Sequence, residues 1–153
     1  MPNILVVCTA NICRSPVAEA VLRDRLQKLG SGDAWQVSSA GTWARSGNAA
    51  SEYSVLVLAE QGLDIRNHRS TPVSDELLAD SDLVLCMEIG HAEALRAEFR
   101  HHAGRIHLLT EMADLRYSVS DPYGGPRSEY QRMVDEVTEL IDVGLPRIVE
   151  MAQ

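Results

Sequence analysis

Short apolar runs rich in β-branched residues alternate along the chain with longer segments in which apolar residues recur every three or four positions. The short runs predict four strands, at 3–7, 35–38, 82–87 and 105–109. The longer segments predict helices, at 15–29, 49–61, 75–79, 91–99 and 127–143. We expect Gly30 and Gly62 to end the first two helices, and Gly144 with Pro146 to break or kink the last one.

Strands that alternate with helices indicate an α/β fold, in which a four-stranded parallel sheet is covered by helices on both faces. Neither a linker nor a repeat divides the sequence, so we predict one domain over residues 1–153. Ligands of such sheets bind at the carboxyl ends of the strands. Residues 8–15 directly follow the first strand and are therefore the first candidates, and the long connection 110–126 is the second.

Composition and charge narrow the function classes. The 153 residues carry a formal net charge of −8, which disfavours general binding to nucleic acids or to anionic membranes. Three cysteines cannot form a complete disulfide framework, and no apolar stretch has the length of a signal sequence or a membrane span. We therefore expect a cytoplasmic protein with free thiols. An anionic ligand would need a locally positive site on this acidic chain.

The segment Cys8-Thr-Ala-Asn-Ile-Cys-Arg14-Ser15 supplies such a site. Its backbone N–H groups can surround an oxyanion, and the positive end of the helix that begins at Ser15-Pro16 points at the same centre. Ser15 is a favourable N-cap residue, and Arg14 adds a planar guanidinium that matches two phosphate oxygens. The segment therefore predicts a phosphate-binding loop.

Cys8 lies where the strand ends, so we expect its thiol to face these donors. Such a setting favours the thiolate, which is the nucleophilic form of cysteine. The Ser15 hydroxyl can donate a hydrogen bond to the sulfur, and Asn11 can tie the loop into shape because it tolerates left-handed backbone angles. A bare turn with two buried thiols is the alternative, but a structural cysteine needs no arginine six residues later.

The run Cys8-Thr-Ala-Asn-Ile-Cys13-Arg14-Ser15-Pro16 resembles the signature loop of the low-molecular-weight protein tyrosine phosphatases. The resemblance extends along nearly the whole chain and includes Ser39-Ala40-Gly41-Thr42, His68 and Asp121-Pro122-Tyr123. It implies that the following residues form the phosphate-binding loop with Cys8 and Arg14: Thr9, Ala10, Asn11, Ile12, Cys13 and Ser15. Ala10 departs from the family, which usually has glycine there, and would be strained if its φ were positive.

The resemblance further implies a metal-independent hydrolysis of a phosphorylated protein, without a cofactor, in two steps. Cys8 attacks phosphorus while Asp121 protonates the leaving oxygen, and Asp121 then activates the water that releases inorganic phosphate from the phosphocysteine. Arg14 and the loop N–H groups stabilise the equatorial oxygens. Without the loop, Asp121 would be interpreted as an ordinary turn residue.

Other residues are expected to support the reaction. Tyr123 and Trp43 are candidate walls of the substrate pocket, and each could instead be a core or surface aromatic. The resemblance places Ser39 and His68 in hydrogen bonds to the loop through Asn11. For His68 the alternative is an ordinary histidine near the surface.

The other two cysteines have different expected roles. The resemblance suggests that Cys13 forms a reversible disulfide with Cys8, which would protect Cys8 from over-oxidation. Cys86 lies in an apolar strand and is expected in the core.

Substrate specificity is open between two branches of the family. Ile12, the third wall residue, favours phosphotyrosine, since the branch that acts on phosphoarginine is expected to have threonine at this position. The run Asp121-Pro-Tyr-Gly-Gly125 and the stretch from His68 to Thr71 nevertheless resemble the arginine-directed branch.

Two further functions are considered. Arsenate reductases on this scaffold need two downstream cysteines, whereas only Cys86 follows here. A phosphoryl carrier would use Cys8 and would not need the acid Asp121. We predict no metal site, because His101 and His102 are expected to point in different directions and to be solvated.

Overall fold

The computed structural model describes residues 1–31 and 34–153, and its centre is a parallel sheet. Four strands pair in the order β2-β1-β3-β4. Their bounds are Asn3–Cys8 for β1, Gln36–Gly41 for β2, Leu83–Cys86 for β3 and Ile106–Leu108 for β4. The predicted α/β fold with a four-stranded parallel sheet is confirmed.

Helices cover both faces of this sheet. Their bounds are Arg14–Leu26 for α1, Glu52–Ala59 for α2, Asp75–Ala79 for α3, Ile89–Glu98 for α4 and Arg127–Ala152 for α5. Helices α1, α2 and α5 pack in one apolar cluster, and α3 and α4 pack in a second. Strand β1 joins the two clusters, because Ile4 and Val6 belong to the first while Leu5 and Val7 belong to the second. This is why its sequence is apolar throughout rather than alternating.

The register of the sheet brings the ends of β1 and β2 together. Cys8 pairs with Gly41, and Val7 pairs with Cys86 on the other side. A Cβ on Gly41 would lie 2.4 Å from the carbonyl oxygen of Thr9. Glycine is therefore needed for β2 to approach the loop that leaves β1.

The last helix does not break at Gly144 and Pro146, since α5 continues to Ala152, and that part of the prediction is wrong. The alternative, a kink at these residues, stays a prediction. A Cβ on Gly144 would lie 2.7 Å from the Cβ of Met112, so this glycine permits close packing instead of ending the helix. Pro146 lies on the exposed side, where water can hydrate the Asp142 carbonyl that the proline cannot bind. Hydrogen bonds from Arg147 to the 110–114 segment hold the last turns.

Smaller differences occur at helix ends. Helix α1 begins at Arg14 with Cys13 at its N-cap, so the prediction that Ser15 caps it is wrong; its hydroxyl lies inside the first turn and bonds to Cys8. Helix α1 ends at Leu26, and the chain leaves the helical path at Gly30, whose φ is +84°. Leu29 is exposed rather than part of the apolar stripe. Among the described residues, no helix is both long and apolar enough to cross a membrane.

Candidate active site

The loop between β1 and α1 directs its carbonyl groups outward, where neighbouring segments bind them. Five donors make these bonds: Thr42 N to Cys8 O (2.9 Å), Trp43 N to Thr9 O (2.8 Å), His68 Nε2 to Asn11 O (2.7 Å), Ser51 N to Ile12 O (2.8 Å) and Ser54 Oγ to Cys13 O (3.2 Å). Most of the outward carbonyl groups of the loop therefore accept a hydrogen bond from another part of the protein.

The opposite face of the loop presents N–H groups. In a trans peptide the carbonyl of one residue and the N–H of the next point in opposite directions, so outward carbonyls imply inward N–H groups. Within the described residues, no N–H group of positions 9–13 donates to a backbone carbonyl outside the loop. The N-terminus of α1 adds its dipole to the same centre, and together they present the positive partial charges that suit an oxyanion.

Arg14 is almost completely buried, with 1% of its surface exposed. Its Nη1 donates to the Val119 carbonyl oxygen and to Glu88 Oε2, at 2.7 Å each. Its Nε is buried and has no protein partner among the described residues. A buried guanidinium needs a counter-charge, which Glu88 supplies, and the spare Nε remains available to an anion.

Cys8 is buried at the end of β1, and its Sγ lies 2.9 Å from Ser15 Oγ. Asn11 adopts the left-handed conformation with φ +59°, as its residue type allows. Ala10 is not at positive φ, so no strain arises from the missing glycine. The turn that could have required glycine is made by the next residue.

Asn11 links the loop to two other segments. Its Nδ2 donates to Ser15 Oγ (2.7 Å) and to Ser39 Oγ (2.9 Å), and its Oδ1 accepts from Thr71 N (2.9 Å). The structure thus places Ser39 beside Asn11, and His68 bonds to its carbonyl. Both sequence-derived supporting residues lie against the loop.

Asp121 comes from the long connection before α5 and reaches the mouth of the loop. Its Oδ2 lies 3.7 Å from Arg14 Nη2, and its Oδ1 accepts from Tyr123 N at 3.1 Å. Its side chain is 43% exposed. The residue therefore makes the turn that its sequence context predicts and also faces the site.

A cavity of about 300 Å³ opens above the loop. It is lined by Thr9, Ala10, Ile12, Cys13, Asp121 and Tyr123. Trp43 does not line it, so the expected second aromatic wall is not formed here. The backbone N–H of Trp43 donates to the loop, whereas its side chain is 86% exposed. The reason is that its segment crosses the outer side of the loop.

The three cysteines differ in environment, and all are free. Burial raises the pKa of Cys13, against hydrogen bonds with Ser51 Oγ at 2.9 Å and the Tyr130 hydroxyl at 3.6 Å that lower it. Complete burial raises the pKa of Cys86 to about 12, and this residue lies in the second core cluster as expected.

Three charged or titratable residues near the loop were not predicted from the sequence. His91 Nε2 lies 2.8 Å from Thr9 Oγ1, and burial lowers the pKa of His91. Glu88 and His91 follow β3, so the rule that ligands bind at carboxyl ends of strands would have pointed to them. The third residue, Glu19 on α1, accepts a hydrogen bond from Ser39 Oγ at 2.7 Å, and no local motif marks it.

The expectation that His101 and His102 point in different directions is wrong. Both Nε2 atoms lie 3.0 Å from Asp75 Oδ1, because the 3-10 helix Arg100–Arg105 turns both rings towards the start of α3. The three ligand atoms lie within 4.8 Å of one another and could hold a metal ion. This cluster precedes β4, at the opposite end of the sheet from Cys8.

Comparisons with known proteins agree along almost the whole chain. The family described as low molecular weight phosphotyrosine protein phosphatase matches residues 3–148. A probable low molecular weight protein-tyrosine-phosphatase, EpsP, from Ralstonia nicotianae is 33% identical over 146 residues, covering 95% of each chain. A protein-arginine-phosphatase from Bacillus subtilis is 34% identical over 140 residues, covering 91% of each chain. A solved cysteine-to-serine mutant of the arginine phosphatase YwlE, with a phosphorylated active-site serine, superposes with TM-score 0.90 at 31% identity, covering 97% of this chain and 95% of that one.

Proposed function

The chain belongs to the low molecular weight phosphotyrosine protein phosphatase family, and we propose that it hydrolyses phosphotyrosine in proteins through a phosphocysteine on Cys8. The observation that carries the proposal is that Cys8, Arg14 and Asp121 meet at one loop. Arg14 Nη2 lies 3.7 Å from Asp121 Oδ2, and Asp121 lines the same cavity as the loop residues Thr9, Ala10, Ile12 and Cys13. A nucleophile, an anion-binding site and a proton donor thus share one centre.

In the first step the Cys8 thiolate attacks phosphorus and the ester oxygen leaves. Protonated Asp121 gives its proton to that oxygen, so the leaving group departs as a neutral alcohol or phenol. The loop N–H groups and the Arg14 guanidinium bind the three equatorial oxygens. Arg14 Nε, which has no protein partner among the described residues, is a donor for this purpose.

In the second step water attacks the phosphocysteine. Asp121, now a carboxylate, takes a proton from the water, the sulfur–phosphorus bond breaks, and inorganic phosphate and the Cys8 thiolate are regenerated. The partly exposed side chain of Asp121 suits this role because it can exchange protons with solvent. The phosphorylated serine of the YwlE mutant supports a covalent phosphoenzyme in this family.

The cavity supports an aromatic substrate. Ile12 and Tyr123 contribute apolar surface above the loop, against which a phenyl ring can pack. Phosphoarginine is the second candidate, since relatives that share about a third of the sequence are protein-arginine-phosphatases. A guanidinium substrate would gain little from the aliphatic side chain of Ile12.

The direct test is hydrolysis of a phosphotyrosine peptide by the wild type and by Cys8→Ser, with EDTA present. We expect metal-independent turnover that Cys8→Ser abolishes, while Cys86→Ala, which removes a thiol outside the site, retains it. Activity that survives Cys8→Ser, or that EDTA removes, would overturn the mechanism. Faster turnover of a matched phosphoarginine peptide would replace the proposed substrate.

We also propose that the protein is cytoplasmic and that residues 1–153 work as a single domain. Free thiols at a catalytic cysteine favour a reducing compartment, and the three cysteines are unpaired.

A further inference from the structure

A chain of hydrogen bonds leads from the surface of α1 to the Cys8 sulfur. It begins at Glu19, whose side chain is 19% exposed. Glu19 Oε2 accepts from Arg23 Nη2 at 2.8 Å, and its Oε1 accepts from Ser39 Oγ at 2.7 Å. Arg23 therefore holds the Glu19 carboxylate in place, and the second oxygen of that carboxylate faces the hydroxyl of Ser39.

The direction of each following bond is determined by the chemistry of its partners. The backbone N–H of Thr71 can only donate, so the Asn11 atom that it contacts must be the amide oxygen. The Asn11 Nδ2 then donates both of its hydrogens, to Ser39 Oγ and to Ser15 Oγ. Ser39 accepts from Asn11 because its own hydrogen is donated to Glu19.

The last bond of the chain reaches the nucleophile. Ser15 Oγ accepts from Asn11, so its hydrogen is free to be donated to Cys8 Sγ, 2.9 Å away. If the Cys8 thiol donated instead, the Ser15 hydrogen would have no side-chain acceptor among the described residues. The chain is therefore fully satisfied when Cys8 is a thiolate.

We propose that Glu19 is a positioning residue whose carboxylate sets the direction of these hydrogen bonds, so that Ser15 donates to the Cys8 thiolate. Without Glu19, the Ser39 hydroxyl loses its acceptor and can rotate its hydrogen towards Asn11. The amide is then pushed away and Ser15 no longer presents its hydrogen to the sulfur. The inference rests on the proposed function, because it assumes that Cys8 reacts as a thiolate.

The sign of the effect distinguishes this role from simple charge. A negative charge near Cys8 disfavours the thiolate, so removing Glu19 would favour it if only Coulomb repulsion mattered. Loss of the Ser15 hydrogen bond has the opposite effect, since that bond favours the charged form. The two explanations predict shifts in opposite directions.

The test is the rate of Cys8 alkylation by iodoacetamide as a function of pH, in the full-length chain. For Glu19→Ala we expect the midpoint to move to higher pH and the alkylation rate below the midpoint to fall about threefold to tenfold. Glu19→Gln, which retains one acceptor, should show a smaller shift. The matched control is Asp24→Asn, because Asp24 lies on the same helix, is 20% exposed, and pairs only with Arg25 and Lys28 in the described residues.

A second variant keeps the test valid if Glu19→Ala is poorly folded. Ser39→Ala breaks the same chain, so it should produce the same shift, and the double variant should add little to either single one. A midpoint that moves to lower pH, or moves equally in Asp24→Asn, would overturn the inference. Because alkylation needs no substrate, this result is independent of whether Cys8→Ser abolishes hydrolysis, which tests the proposed function.

Discussion

The loop that holds Cys8 and the turn that holds Asp121 meet at one site but are built in opposite ways. Cys8, Asn11 and Arg14 are each at most 3% exposed, whereas the side chain of Asp121 is 43% exposed and Tyr123 is 69% exposed. The loop is bound by segments 39–43, 51–54, 68–71 and 88–91 and by Val119. Within the described residues, the Asp121 side chain makes polar contacts only with Tyr123 N and Arg14.

The difference follows from what each region does. The loop must hold dipoles around a phosphate whose charge changes little in position, so preorganisation is favourable and burial strengthens each interaction. In the proposed mechanism Asp121 must accept and release a proton in each cycle and make room for the leaving group, so it needs solvent. One fold thus combines a buried loop with an exposed carboxylate.

The largest effect is expected from the rigid side of this comparison, in Arg14→Lys. A lysine retains the charge but lacks the planar pair of N–H donors that binds two oxygens side by side while bonding to Val119 and Glu88, so we expect kcat to fall about a thousandfold. Steady-state kinetics on a phosphotyrosine peptide measure it. A loss below about tenfold would mean that charge alone suffices.

The exposed side is tested by Asp121→Asn, which cannot donate the proton. We expect kcat/KM, which reports the first step, to fall about a hundredfold for a phosphotyrosine peptide and less for 4-nitrophenyl phosphate, whose leaving group needs less protonation. Equal losses on both substrates would contradict the acid role. No loss on either would favour the non-catalytic phosphoryl carrier.

The loop scaffold is tested by Asn11→Ala beside Asn11→Gly. Alanine loses the side-chain hydrogen bonds and is strained at φ +59°, while glycine loses only the bonds. We expect Asn11→Ala to destabilise the fold by about 1–3 kcal/mol and to reduce kcat/KM about tenfold. Both effects should be smaller in Asn11→Gly, which should lie between the wild type and Asn11→Ala. Thermal unfolding and kinetics should agree in this order; the reverse order would exclude backbone strain.

The mouth is expected to respond more weakly. Tyr123→Ala removes an apolar wall that contacts substrate before and during reaction, so KM should rise about fivefold with little change in kcat. Trp43→Ala serves as the comparison, because its side chain does not line the cavity. Equal effects of the two substitutions would indicate that Trp43 also contacts the substrate.

The smallest effect concerns His91 beneath Thr9. Burial lowers the pKa of His91 below its ordinary 6.5, so the unfolded chain binds this proton more readily than the folded one. Its contribution to stability is therefore present above about pH 6.5 and is lost as pH falls towards the folded value. The free energy of unfolding, measured with denaturant between about pH 5 and 8, should fall less towards acid pH in His91→Gln than in the wild type. The same dependence on pH in both proteins would refute this.

The sequence by itself determined the features that depend on neighbouring residues. A buried strand, the loop with Cys8 and Arg14, and a helix follow one another between residues 3 and 26, and their patterns are local. The order of strands and helices was enough to predict a parallel sheet and to place the loop at its carboxyl edge. Asp121 was predicted from a resemblance, since its turn alone says nothing about the distance to Arg14.

Tertiary structure decided how that loop is held and how its charge is balanced. The donors that turn its carbonyls outward, and Glu88 and His91, come from segments far away in sequence, so no local pattern reports their distance. Glu19 is close to the loop in sequence, but its hydrogen bond with Ser39 depends on how β2 packs against α1. The same holds for Gly144, whose residue type predicts a helix end although close packing against Met112 is what requires it. Local chemistry specifies which atoms can react, but only the packing of distant segments specifies which hydrogen bonds those atoms make.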